Sequence, residues 1–114
     1  MGPLRGPFAG DYIPRLVIRH IVLFRFTADA TPAQIESAGV ALRAMHGAVP
    51  ELHEVTFGPN LGPTAAEWPY VLIVTTDDMP SVERYLTHPV HVETVGRYVA
   101  PIRAGRLAID VETA

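Results

Sequence analysis

The sequence predicts an α+β domain: a four-stranded antiparallel sheet with helices on one face and an apolar surface on the other. Three observations point there. Strand-like and helix-like runs follow one another in the order strand, helix, strand, strand, helix pair, strand. Two of the strand-like runs, residues 16–26 and 70–76, are apolar on both faces, as in a sheet covered on both sides. At 114 residues the chain forms one domain and is too short to cover a second sheet face itself, so a second copy is the natural cover.

Residues 1–15 carry Pro3, Pro7 and Pro14 with Gly2, Gly6 and Gly10 and read as an extended N-terminal segment; the domain proper spans 16–112. In the first strand, Leu16, Ile18, His20, Val22, Phe24 and Phe26 share one face, and Val17, Arg19, Ile21, Leu23 and Arg25 share the other. Thr31-Pro32-Ala33-Gln34 combines an N-cap, a proline at the first helical position and a capping-box glutamine, starting a helix that runs to about His46 before the Gly47 stop.

Residues 52–58 form the second strand, with His53, Val55 and Phe57 on one side, and residues 59–63 a turn-rich loop. Tyr70 to Thr76 is the third strand. Ser81 is placed as the cap of a short helix through Val82, Tyr85 and Leu86. His88 precedes Pro89, which disfavours helical geometry at His88 and starts a second helix with a stripe of Val92, Val95, Val99 and Ile102. Leu107, Ile109 and Val111 alternate with Arg106, Ala108 and Asp110 in a last strand. This order is the split βαβ pattern of ferredoxin-like folds.

Composition narrows the chemistry. The formal net charge is −3, and the arginines are scattered singly, which favours neither nucleic acid nor an anionic membrane as partner. There is no cysteine, hence no thiolate nucleophile or disulfide, and no lysine, hence no Schiff base. Ser37 and Ser81 are the only serines, and neither sits in a nucleophile elbow. No apolar run approaches the ~18 residues of a membrane span, and no signal-peptide core is present, so a cytoplasmic location is expected. No tight histidine or carboxylate spacing suggests a metal, and no glycine-rich phosphate loop follows a strand, so no cofactor is expected. The chemistry left is that of histidine, tyrosine and carboxylates.

Two stretches together carry a family resemblance. Arg19-His20-Ile21-Val22-Leu23-Phe24-Arg25-Phe26 with Thr31-Pro32-Ala33-Gln34-Ile35, and Tyr85-Leu86-Thr87-His88-Pro89-Val90-His91-Val92 with a closing Ala108-Ile109-Asp110-Val111, resemble the stress-responsive dimeric α/β-barrel (Dabb) domain family over residues 18–112. The resemblance implies a ferredoxin-like protomer whose sheet stacks on that of a second protomer in a homodimeric barrel. One branch of the family comprises polyketide cyclases of the olivetolic acid cyclase type, which close linear poly-β-ketones by aldol chemistry. The residues that branch uses fall here on His20, Tyr85 and His91, while Tyr70 stands where the branch has a further histidine.

On that reading His91, near the start of its helix, is a neutral general base, Tyr85 polarises a carbonyl, and His20 orients or hydrogen-bonds the ligand. Val22, Phe24, Tyr70 and His88 complete the substrate-contacting set, with His88 also placed to orient His91. Each residue has a plainer role: His20 as a core histidine bonded within the protein, Tyr85 as core on the stripe of Val82 and Leu86, His91 as a helix-junction residue. The sharpest function is cofactor-independent aldol ring closure of a hydrophobic polyketide-like substrate. The rival is a non-catalytic, stress-associated dimer that binds a small hydrophobic molecule. A cofactor-free monooxygenase is a third reading, by fold analogy.

Overall fold

The computed structural model describes residues 15–114. The expected extended segment, residues 1–15, lies outside this range except for Arg15, which pairs with Asp77 at 2.8 Å. Strand β1 (Val17–Phe26) leads to helix α1 (Pro32–Arg43), then β2 (Glu54–Pro59), β3 (Tyr70–Thr76), helices α2 (Met79–Thr87) and α3 (Pro89–Thr94), and β4 (Arg103–Thr113). The sheet order is β2-β3-β1-β4, with all pairs antiparallel. This is the ferredoxin-like arrangement read from the sequence.

Strand β1 is central because its branched and aromatic residues serve both faces. Ile18, His20, Val22 and Phe24 are buried under the helices. On the opposite face Ile21 lies between Ile73 and Ile109, and Leu23 between Val71 and Leu107. Among the described residues nothing covers that face: Leu107, Ile109 and Val111 remain 46%, 50% and 41% exposed. The core joins Val22, Phe24, Leu72 and Val74 of the sheet to Leu42 and Met45 on and after α1 and to Tyr85 of α2.

Helix α1 begins as its sequence dictates. Thr31 Oγ1 accepts from the Gln34 backbone N–H at 3.1 Å while Gln34 Oε1 accepts from the Thr31 N–H at 2.9 Å, a reciprocal cap worth about 1 kcal/mol. It ends at Arg43, three residues short of the expected His46, and turns carry the chain to Gly47, whose φ of 92° suits glycine. Gly39 lets α1 approach β2 closely, since a Cβ there would stand 3.0 Å from the Phe57 ring.

Three local expectations are corrected. The cap of α2 is Asp78, whose carboxylate accepts from both the backbone N–H and the hydroxyl of Ser81; a carboxylate outcompetes the serine for this role. Val92 is 58% exposed rather than part of the buried stripe, and Thr94 is buried. Beyond α3 the chain widens into a π-helical turn over Val95–Val99 and tightens to a 3-10 turn over Ala100–Ile102, so a constant 3.6-residue period does not hold along this segment.

Candidate functional site

The site grows from the direct pairing of β1 with β4. His20 and Asp110 are register partners, so their side chains leave the sheet on the same face, and His20 Nδ1–H donates to Asp110 Oδ1 at 2.7 Å. Since a carboxylate accepts, this bond fixes the Nδ1–H tautomer of the neutral ring and leaves Nε2 as the free acceptor. His20 is 4% exposed, whereas the Asp110 side chain keeps contact with solvent.

Helix α2 brings Tyr85 over this histidine. The two rings meet edge to face with centroids 6.1 Å apart. Tyr85 lies on the buried side of α2 with Ser81 and Val82, and burial pushes its phenol well above the usual tyrosine value, so the hydroxyl stays protonated and can donate. Tyr85 also meets His91 edge to face at 4.5 Å.

His91 is the third residue of α3, as the His-Pro-x-His spacing places it, and its Nδ1–H donates to the Leu86 carbonyl at 2.9 Å. A carbonyl only accepts, so Nε2 again carries the free lone pair. Burial depresses the basicity of His91; the Leu86 carbonyl works against this, and the nearby His20 and Arg106 add to it. The result is a neutral imidazole near pH 7.

His20, Tyr85 and His91 line one cavity of about 250 Å³ with Val22, Phe24, Leu42 and Leu72; Leu86, Val95, Arg103 and Arg106 complete its wall. Its lining of apolar side chains with a few converging polar groups is that of a small-molecule site. Two residues expected to contact substrate lie elsewhere. Tyr70 packs on Phe57 and Phe26 at 5.4 and 5.6 Å in an aromatic cluster outside the cavity lining. His88 caps α3, its Nδ1 accepting from the Val90 N–H at 3.1 Å.

Sequence reasoning missed Asp110, Arg103 and Arg106. Asp110 was within reach, because it alternates with the apolar residues of the last strand and so faces the helices; its pairing with His20 needed the register. A second, more open groove of about 500 Å³ between α1 and α3 is lined by residues such as Val40, Ala44, Met45, Val90 and Tyr98 and holds no histidine. Among the described residues, no group of three His, Asp or Glu is placed to hold a metal ion. Among the described residues, no helix is long and apolar enough to cross a membrane.

The fold and the sequence both have known counterparts. A dimeric ferredoxin-like protein of unknown function from Thermobifida fusca is 32% identical, with 90% of this chain and 95% of that chain covered and a TM-score of 0.74. One from Bacteroides fragilis, also dimeric and of unknown function, is 27% identical over 90% of this chain and 100% of that one, with a TM-score of 0.74. The hydroxynitrile lyase of Passiflora edulis shares the fold at 19% identity, with coverage of 89% and 96% and a TM-score of 0.77. A search of curated protein sequences finds no match. The model of the stress responsive A/B barrel domain matches residues 18–113, and the chain belongs to that family.

Proposed function

We propose that this protein is a cofactor-independent acid–base enzyme that closes a ring in a hydrophobic poly-β-keto substrate by aldol chemistry. The observation that carries the reading is the convergence of His20, Tyr85 and His91 on one largely apolar cavity. His91 Nε2 removes a proton from a carbon between two carbonyls, giving an enolate. The enolate carbon attacks a second carbonyl of the same molecule, forming the C–C bond, and Tyr85 donates to the oxygen that becomes the alkoxide. The proton held by His91 returns to the product oxygen or restores the phenol, so the ring closes with no net gain or loss of protons; loss of water then gives the unsaturated ring.

Each element supplies a definable part of the barrier. General base catalysis contributes ~10²–10⁴-fold, and a single positioned donor at a developing oxyanion ~10²–10³-fold. The apolar wall strengthens both by excluding water. His20, held by Asp110, offers a second acceptor to the same ligand.

The functional unit is a homodimer. Its support is the apolar row of Ile73, Ile21 and Ile109 on the sheet face that none of the described helices covers, together with the dimeric state of the Thermobifida fusca and Bacteroides fragilis proteins.

Incubation with linear tri- and tetra-β-keto surrogates, each as the free acid and as the thioester, followed by mass and ultraviolet analysis, tests the reading. A ring-closed product formed faster by the wild type than by Tyr85→Phe supports it. Binding of the surrogates with closure no faster than in buffer would instead favour the non-catalytic dimer that holds a small hydrophobic molecule.

A further inference from the structure

The cavity wall carries a pair of cations that the acid–base chemistry does not use. In a regular strand, residues three apart point to opposite faces, so Arg103 and Arg106 would be expected to diverge. The structure differs because β4 bulges opposite β1: Arg25 pairs with Gly105 and Phe26 with Arg103, leaving Ala104 as the extra residue. The bulge turns Arg103 to the same face as Arg106, which pairs with Phe24, and both guanidinium side chains line the cavity of His20, Tyr85 and His91.

Among the described residues, neither arginine is paired with a carboxylate, whereas Arg15, Arg19, Arg25 and Arg84 all are. Asp110, the acidic residue of β4 nearest to Arg106 along the strand, is taken up by His20, and four residues of extended strand set the two Cα atoms about 13 Å apart. Two cations without acidic partners at the edge of an apolar cavity form a site for a planar anion, because guanidinium groups match carboxylate oxygens with paired N–H donors.

We propose that Arg103 and Arg106 bind the carboxylate of the substrate, so that the ligand is a keto acid with its anionic end at the β4 bulge and its reacting carbonyl toward Tyr85 and His91. This rests on the acid–base reading for the placement of the carbonyl, but the anion subsite itself does not depend on turnover. It adds selectivity: a free acid is held in one orientation, and an ester or a simple ketone is not.

The test compares 4-oxooctanoate with its methyl ester, titrated into the ¹⁵N-labelled wild type, Arg106→Gln, Arg106→Lys and the Arg103→Gln/Arg106→Gln pair. The acid is expected to bind the wild type about 10- to 100-fold more tightly than the ester. Arg106→Gln should remove most of this preference, Arg106→Lys should restore part of it, and the double variant should abolish it. Equal affinity of acid and ester for the wild type, no binding of the acid at millimolar concentration, or a preference unchanged in the double variant would overturn the proposal. α-Proton exchange of the ester by the wild type, followed in the same samples, reports on the acid–base groups alone. Acid preference without exchange would leave the anion subsite and remove the catalytic reading, and exchange without preference would do the reverse.

Discussion

His20 and Asp110 face each other directly across the β1–β4 ladder and are joined by a 2.7 Å hydrogen bond from the ring Nδ1–H to the carboxylate. Ninety residues of chain separate them, and the bond links the centre of the sheet to its edge strand. On the proposed mechanism Asp110 is a positioning residue: its bond to Nδ1–H leaves Nε2 of His20 as the free nitrogen. Asp110→Asn keeps the shape and releases this control. It should lower ketone α-proton exchange by about 10- to 100-fold while the fold persists. ¹⁵N chemical shifts of the His20 ring should show loss of the single Nδ1–H tautomer, a change that a merely structural role would not produce, and Asp110→Glu should recover part of it.

Tyr85→Phe removes one oxygen and leaves the edge-to-face contacts with His20 and His91 in place. Exchange or ring closure should fall by roughly 10²- to 10³-fold, and the melting temperature should stay within a few degrees of wild type. Tyr85→Ala is different in kind. The side chain is 1% exposed, so its loss opens a void in the core and should cost about 3–5 kcal/mol by chemical denaturation.

The pH dependence follows from His91. Its basicity is depressed, first by burial and further by His20 and Arg106. In the proposed mechanism the active form is the neutral ring, so the exchange rate should rise with pH, with a midpoint below the usual histidine value of about 6.5, and then level off. Tyr85 is shifted upward, so no falling limb is expected before pH 10. Arg106→Gln removes a cation that disfavours the imidazolium and should move the midpoint upward; Arg103, His20 and Asp110, which share the region, remain. The stability linkage has a definite sign. The folded value lies below the unfolded one, so the contribution is complete above the unfolded value and is lost as pH falls through the folded value. Urea midpoints measured from pH 7.5 down to 5 should show this loss, reduced in His91→Gln.

Ile109→Asp places a charge in the row of Ile73, Ile21 and Ile109 on the uncovered sheet face, away from the cavity. Light scattering should show the dimer converted to monomer. A dimer that survives this change would have to form through another surface.

How far the sequence went can be seen residue by residue. The cap at Thr31, the order of strands and helices, and the place of His91 at the third position of its helix were legible because each depends on local spacing. The meeting of His20, Tyr85 and His91 followed from a family resemblance, and the structure brings their side chains into one cavity. Tyr70 was expected near them because it stands where the resembling branch has a further histidine, yet it sits opposite Phe24 toward the far end of β1, where the aromatic rings of Phe26 and Phe57 take it up. The arginine pair was hidden by the bulge at Ala104, since a one-residue insertion reverses the face of everything beyond it. The exposure of Val92 was hidden by the change from α to π geometry after Thr94.

The most direct test of the central claim is exchange of α-protons from a methyl-ketone or diketo-acid surrogate in D₂O, followed by NMR with the wild type and with His91→Ala. The expected result is acceleration by the wild type, reduced by at least ~10²-fold in His91→Ala while the variant keeps its fold and dimeric state. Surrogates that bind yet exchange no faster than in buffer, or acceleration that survives loss of His91, would contradict it.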